Sequence, residues 1–481
     1  MTSNFYSAIH KNLLENPDKT YIKWPNQGGD DVYFTGHDLL EGVAFVCKSL
    51  QLKQIRQGDR ILLGIPFSFE LVCALLGIIA YGGIAVIPPS NTREFALFKL
   101  LLKHKIRGVY VKDPEDHIKK ILSIIGVKTL AQDAALQQIN YYKPVQVPEE
   151  HAALISFSSG TTGKPTAVHR SHKILRAQHK ALKESFPPLP GQQDLPLFPN
   201  ILLHNLSLGI TTVIPDILDF DVRETDPEKI IAQILDESID SLTGNVHYFR
   251  ILVSHLQKEK IILPAVKKLG IGGSPVPEYL PHLLQNYFVN AEIYIIYGST
   301  QAEPISVRKV TEDRRNPARG YFVGTVHPGV DLRLNSPVTG KEITASFESG
   351  LVEVNGNHVV TNAGIQWLNT GDYGYLNEKG ELFLTGRAGN EGALEGYTHY
   401  QLEHVLAHVP GVNHTAAIYQ PEGFRIIVEG KTPVAELKSC LAKHFPPGII
   451  SSIETIEKMP LDSRHHSKIL YKELCKPNSK K

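Results

Sequence analysis

The chain runs to 481 residues, 42% of them hydrophobic and 21% charged, a globular composition too long for one compact core, so two or more domains are expected. A formal net charge of +1, with no basic run longer than Lys480-Lys481, leaves no global field to draw in nucleic acid or an anionic membrane. Four widely spaced cysteines, Cys47, Cys73, Cys440 and Cys475, lack Cys-x-x-Cys spacing, which argues against a disulfide framework and a zinc site and fits a cytoplasmic protein.

The N-terminal stretch MTSNFYSAIHKNLLENP lacks the uninterrupted apolar core of a signal peptide and reads as a short amphipathic helix ended by Asn16-Pro17. LVCALLGIIAYGGIAVIPP, Leu71 to Pro89, carries no charge and approaches the length of a membrane span. Gly82-Gly83 divides it into a helical run and a strand-like GIAVI, the pattern of a buried helix feeding a buried parallel strand, so no transmembrane segment is expected. RILLGI, SFELVCALLGIIAY, GIAVI, FALFKLLLKHK and GVYVK alternate strand with helix, and the pattern returns in AALISF, TTVIP, SLTGN, KKLGIGG and AEIYIIYG. This alternation predicts an α/β fold of parallel sheets covered by helices.

From about Gly329 short strands with turn residues, VDLRL, GLVEVNG and TGDYGYLNEKGELFLTG, predict a small β-subdomain. After Arg387 the Gly-rich AGNEGALEG leads to a helix near Gln401 to His408 and a compact α+β tail. The expected division is a large N-terminal domain over 1–387 and a small, mobile C-terminal domain over 388–481.

Chemistry concentrates where glycine meets hydroxyl or charged residues just after a strand. SSGTTGKPT, Ser158 to Thr166, can aim backbone N–H groups and hydroxyls at one anion, and a phosphate is the obvious guest. It is not a P-loop: Ser158 stands where that motif needs glycine and Pro165 where it needs Ser or Thr. The bland alternative is a solvent-exposed turn. Similar stretches are LGIGGSP, YIIYGSTQAEP with Thr300, Gln301 and Glu303, LNTGDYGYLNEKGELFLTGR with Asp372 and Arg387, and MPLDSRHHSKI with Lys468. Taken singly, Asp372 is a turn former and Lys468 a solvated lysine. In α/β sheets, however, ligands gather beyond the carboxyl ends of the strands, where such stretches converge.

In content and order these stretches resemble the signature motifs of the adenylate-forming superfamily: acyl- and aryl-CoA synthetases, nonribosomal peptide adenylation domains and luciferases. The resemblance runs from about Tyr33 to Lys468 and implies ATP-dependent activation of a carboxylic acid to an acyl-adenylate, with release of pyrophosphate. Ser158, Ser159, Gly160, Thr161, Thr162, Gly163 and Lys164 would hold the β- and γ-phosphates. Thr300 would meet the α-phosphate, Tyr297 and Gly298 would lie against adenine with Gly273 nearby, and Asp372 would accept from the ribose hydroxyls with Arg387 beside it. Lys468 would bridge carboxylate, ribose and α-phosphate as a point charge on a flexible stem. His204, with Gly272 and Gly298, would line the acyl pocket; for His204 a hydrogen-bonded core position is the equal alternative.

The same resemblance implies Mg²⁺ at Gln301 and Glu303, although the family's usual Glu is replaced by Gln301, an oxygen ligand without charge. The usual hinge residue is Gly389, and EGALEGYTHYQLE replaces a lysine- and arginine-bearing loop that shapes the thiol channel. Transfer to CoA or an acyl carrier protein, from an apolar or fatty acyl-adenylate, is the default expectation. FPNILLHNLSLGITTVIPD, YGSTQAEPIS and SRHHSKI also resemble in part the β-lactone synthetases of olefin biosynthesis, in which a 3-hydroxy acyl-adenylate closes on its own hydroxyl without a thiol. A nucleotide-binding pseudoenzyme is the alternative from another class.

Overall fold

The computed structural model describes residues 2–26, 30–89, 94–112, 115–130, 140–158, 166–312, 315–361, 364–462 and 468–475. They gather into two compact units, one of residues 1–180 and 188–215, the other of residues 181–187 and 216–481.

In the first unit, helix α1 (Tyr6–Glu15) ends on Asn16 as expected. Strands β1 (Thr20–Trp24) and β2 (Val32–Thr35) form a hairpin. Thr35 then starts helix α2 (Gly36–Leu52) with a capping box, its hydroxyl and the Asp38 carboxylate satisfying each other's backbone N–H. Strand β3 (Arg60–Leu63) leads to helix α3 (Phe69–Ala80), which Ser68 caps. Every residue of α3 from Val72 to Ala80 is buried, so the charge-free run crosses a protein core and not a bilayer. Each large apolar side chain so buried contributes about 1.5–3 kcal/mol. Strand β4 (Ile84–Val86), helix α4 (Glu94–Lys103), strand β5 (Ile106–Tyr110), helix α5 (Asp116–Ile124) and strand β6 (Lys128–Leu130) continue the alternation. Strands β7 (Ala152–Ser158) and β8 (Thr166–Ser171) complete a six-stranded sheet of order β8-β7-β4-β3-β5-β6. Its strands are parallel except β8, which turns back antiparallel on β7. Strands β9 (Gln193–Pro196) and β10 (Thr211–Val213), joined through helix α6 (Pro199–Leu208), run parallel beside β1.

The second unit opens with parallel strands β11 (Ser241–Gly244), β12 (Lys268–Gly272) and β13 (Glu292–Ser299), the first two linked by helix α7 (Val246–Glu259). Strand β14 (Ala302–Lys309) returns antiparallel on β13. The expected β-subdomain is a second sheet of order β15-β20-β19-β18-β16-β17. Its members are β15 (Tyr321–Thr325), β16 (Val330–Asn335), β17 (Glu342–Ile343), β18 (Gly350–Gly356), β19 (Leu368–Leu376) and β20 (Glu381–Arg387). It closes over Ala302, Ile305, Val323, Val352, Val354, Leu382 and Leu384.

The α+β tail is helix α8 (His399–Ala407), strands β21 (Val412–Gln420) and β22 (Gly423–Gly430), helix α9 (Val434–Ala442) and strand β23 (Ile450–Ile456), then the single turn α10 (Tyr471–Leu474). Its three strands pair in chain order over a core that includes Leu402, Leu406, Phe424, Ile426 and Leu437.

Candidate active site

Asp372 and Arg387 stand opposite each other across the β19–β20 hairpin, which puts a carboxylate and a guanidinium on neighbouring strands with no loop between them. Arg387 Nη1 donates to Asp372 Oδ1. The Tyr297 hydroxyl, from the end of β13, donates to Oδ2 at 2.8 Å. Asp372 is only 7% exposed, and the backbone that presents it is secured locally. Its N–H donates to Thr370 Oγ1 at 3.1 Å, that hydroxyl donates to the Val352 carbonyl at 2.9 Å, and Asn369 Oδ1 accepts from the Gly371 N–H at 2.8 Å.

The charges follow from these contacts. The Asp372 carboxylate is the main cause of a raised Arg387 pKa, holding the guanidinium charged. Burial first, and the Asp372 charge second, hold the Tyr297 hydroxyl protonated well above the usual range, so it acts as a donor. A carboxylate offers about four acceptor positions, and two are taken here. The rest are available to hydroxyl donors, which is the chemistry that a ribose presents. Tyr297 was expected against adenine; its link to Asp372, 75 residues away in sequence, had no local signal.

Helix α8 is fastened beside this pair by polar groups that the sequence reading missed. Thr398 caps it, with Gln401 completing the capping box, while Gln401 Nε2 donates to the Ala318 carbonyl at 3.0 Å. His399 Nε2 accepts from the Arg387 N–H at 3.2 Å. His404 Nε2 accepts from the Glu278 N–H at 3.0 Å and its Nδ1 donates to the Gly320 carbonyl at 3.1 Å, which fixes one neutral tautomer. Burial pushes both imidazoles down to about 3. Glu278 itself is 2% exposed and takes a bidentate contact from Arg308 at 3.2 and 2.8 Å.

The segment bearing Lys468 is closed by reciprocal contacts: the Lys468 N–H donates to Asp462 Oδ1 at 2.8 Å, and the Asp462 N–H donates to the Lys468 carbonyl at 2.9 Å. Leu461 and Ile469 bridge across it, packed against Met459 and Tyr471. Three residues beyond Lys468, the Tyr471 hydroxyl donates to both oxygens of Glu403 at 2.9 and 3.0 Å, and Glu403 Oε1 also accepts from the Ala417 N–H at 2.9 Å. Burial pushes the Glu403 carboxyl up to about 8.

Thr300 and Gln301 are the two turn residues of the β13–β14 hairpin, between paired Ser299 and Ala302. The Gln301 carbonyl accepts from the Val360 N–H at 2.7 Å, which leaves its side chain outside the backbone pairing. Glu303 follows in β14, half-buried. Among the described residues, no group of three or more His, Cys, Asp or Glu side chains gathers as a metal cluster. Gly272 ends β12 and Gly273 follows at φ +79°, while Gly298 precedes the hairpin turn. A Cβ at Gly272 would sit 2.8 Å from the Ile296 carbonyl oxygen, and one at Gly298 2.7 Å from that of Ala302, so close backbone approach demands glycine at both.

In the first unit, Ser158 ends β7 opposite Thr166 of β8, so the stretch between them joins two antiparallel strands. Ser159, Gly160, Thr161, Thr162, Gly163 and Lys164 lie outside the described residues. His204 is 5% exposed on α6, with its ring 5.3 Å from that of His179 and edge-on to it. His179 Nδ1 lies 3.2 Å from the Ser207 hydroxyl, which donates to the His204 carbonyl at 2.7 Å. The ring contact packs His204 beside a second histidine.

Residues 9–362 match the family model described as "AMP-binding enzyme". The chain is 26% identical over 366 residues to the olefin beta-lactone synthetase of Stenotrophomonas maltophilia; the match covers 66% of each chain, a little under two thirds of that relative's length. It is 25% identical over 399 residues to 4-coumarate–CoA ligase-like 5 of Oryza sativa subsp. japonica, covering 76% of this chain and 69% of the relative. Its fold is that of ATP-bound MatB from Rhodopseudomonas palustris, with a TM-score of 0.82 over 98% of both chains at 19% identity. With the family model covering most of its length, this chain belongs to the AMP-binding enzymes, the adenylate-forming, CoA ligase-like family.

Proposed function

We propose that the protein activates an apolar or fatty carboxylic acid with Mg-ATP and passes the acyl group to a thiol, either CoA or a carrier protein. The observation that carries this reading is the Asp372 carboxylate, buried, oriented by Tyr297 and Arg387, and still able to accept from a ribose. ATP supplies an electrophilic α-phosphorus and a pyrophosphate leaving group. A carboxylate oxygen attacks that phosphorus, the bond to the bridging α–β oxygen breaks, and pyrophosphate leaves. The thiolate sulfur then attacks the acyl carbon, and AMP departs as the carbon–oxygen bond of the mixed anhydride breaks.

The chain's own work is to align two anions and neutralise their charge. In this reading Ser158 and residues 159–164 hold the departing phosphates, Thr300 meets the α-phosphate, and Lys468 brings a positive charge to the reacting oxygens. Gln301 and Glu303 offer one amide oxygen and one carboxylate to Mg²⁺. That is a sufficient protein share, because this ion keeps most of its octahedron for phosphate oxygens and water. Gly272, Gly273 and Gly298 supply backbone at the nucleotide and acyl positions, and His204 belongs to the acyl-pocket wall. Residues 388–481 act as the small domain, hinged near Gly389, whose φ of +97° favours glycine. A cytoplasmic location is supported by four free cysteines.

Mass-spectrometric product analysis with Mg-ATP and a panel of carboxylic acids, with and without CoA, tests this function. Acid-dependent AMP together with a thioester supports it, and no AMP with any acid overturns it. The β-lactone synthetase relative favours a second reading, in which a 3-hydroxyl oxygen attacks the acyl carbon and gives up its proton while AMP leaves. A 3-hydroxy fatty acid that yields AMP and lactone without thiol distinguishes that outcome.

A further inference from the structure

The net charge of +1 conceals a local asymmetry. Residues 94–130 hold eight lysines and arginines against four acidic residues, so in the rest of the chain acidic residues outnumber basic ones. This segment contributes α4, β5, α5 and β6 to the first unit. The crossovers β4–α4–β5 and β5–α5–β6 step in the same direction along the sheet, and right-handed connections therefore put both helices on one face. Packing agrees: Leu100 and Leu101 of α4 and Leu122 of α5 share one core with Val109 and Val127.

The outer sides of these two helices face solvent together, and they are not simply polar. Leu102 is 57% exposed, Ile121 45% and Ile124 84%, and the apolar α5 positions recur at helical spacing. Exposed lysines interleave with them: Lys103 and Lys105 follow Leu102, while Lys119 and Lys120 precede Ile121. An ordinary solvated helix does not place an isoleucine at a position 84% exposed. A rigid protein partner would present pockets for these side chains and fixed acids for the lysines. A fluid anionic surface needs neither, because protruding apolar side chains enter the headgroup layer while lysine stems lie along it with their charges at the phosphates.

We propose that the outer face of α4 and α5 is a peripheral docking surface for an anionic lipid bilayer, with Leu102, Ile121 and Ile124 as the inserting side chains. The proposal is independent of the reaction assigned above, and its test uses no substrate. The full chain is sedimented with vesicles of phosphatidylcholine alone or mixed with phosphatidylglycerol, at low and high salt. The protein is expected to sediment with the anionic vesicles only, and to be released by salt because surface charges are screened. The pairs Ile121→Ser with Ile124→Ser and Lys119→Glu with Lys120→Glu should each lower the partition coefficient by about tenfold, since each removes insertion or attraction at the surface. Thermal midpoints should be unchanged, because these side chains are exposed. Wild type left in the supernatant with anionic vesicles, or variants that sediment like wild type, would overturn the proposal. So would loss of vesicle binding in favour of an acidic carrier protein captured through the same residues, which would make the face a protein interface.

Discussion

The Tyr471 hydroxyl and the Glu403 carboxyl group join the C-terminal turn to the middle of helix α8, three residues after Lys468. The ring also packs with Met459 and Ile469, so Tyr471→Phe keeps the apolar contact and removes only the donor. A buried acceptor that loses its donor costs about 1–3 kcal/mol. We expect the variant to fold with a lowered melting temperature and to lose adenylation kcat about tenfold with little change in KM for ATP, since the lysine segment is loosened and no ATP contact is deleted. Unchanged kcat in a pyrophosphate-release assay would show that the segment needs no such tie.

Asp372 should respond to charge more than to shape. Asp372→Asn keeps an acceptor for Tyr297 but leaves Arg387 without its counter-charge, and Asp372→Ala removes both. Loss of kcat/KM for ATP is expected in the order Asn then Ala, with about 10²- to 10³-fold for Ala, the range for losing several hydrogen bonds to a charged group. Equal kcat/KM for all three proteins, measured by acid-dependent pyrophosphate release, would remove Asp372 from the nucleotide site.

Lys468→Ala should abolish acid-dependent pyrophosphate release, while the backbone contacts that close its segment, from the Lys468 N–H to Asp462 Oδ1 and from the Asp462 N–H to the Lys468 carbonyl, remain available to the variant. Unchanged turnover would sink the assignment of this lysine.

What could be read from the sequence was what lies close together in it. Asp372 and Arg387 sit on the two arms of one hairpin within a single stretch of sequence, and the family resemblance carried by that stretch implied that they lie side by side. The charge-free run after Leu71 was resolved by Gly82-Gly83 into a helix and a strand. The hydrogen bond from Tyr297 to Asp372 and the Glu278, Arg308 and His404 cluster were not legible, since each joins residues brought together only by tertiary packing. Histidines on an apolar helix read as core residues, and nothing local showed that His404 uses both ring nitrogens. The antiparallel return of β8 after Ser158 was also hidden, because the loop composition describes an anion site and says nothing of strand direction.

Gln301 occupies one of two turn positions in the β13–β14 hairpin, where its side chain is not needed for strand pairing. Gln301→Glu should therefore fold normally and lower the Mg²⁺ concentration for half-maximal activity by about three- to tenfold, the effect of adding one carboxylate to a hard-cation site. A magnesium titration of pyrophosphate release decides it. No change would assign the ion to Glu303 and the phosphates alone.

Stability should depend on pH with opposite signs from two histidines and one carboxyl on helix α8. Burial lowers His399 and His404 from 6.5 to about 3, so below pH 6.5 the unfolded chain binds protons that the folded chain refuses, and stability falls as the pH drops. Burial raises Glu403 from 4.5 to about 8, so between those values the folded chain keeps a proton that the unfolded chain releases, and stability falls as the pH rises. Between pH 4.5 and 6.5 the two histidines outweigh the single carboxyl, and from 6.5 to 8 the carboxyl acts alone. The second unit should thus be most stable near pH 6.5, and the alkaline fall should amount to at most about 1.4 kcal/mol per pH unit. Glu403→Gln is neutral at every pH and keeps acceptor capacity for Tyr471 and Ala417, so it should flatten the alkaline side and leave the acid side unchanged. Urea midpoints of both proteins at pH 5.5, 6.5 and 8 measure this. If the two proteins lose stability in parallel from pH 6.5 to 8, the fall belongs to other groups and Glu403 is ionised in the fold.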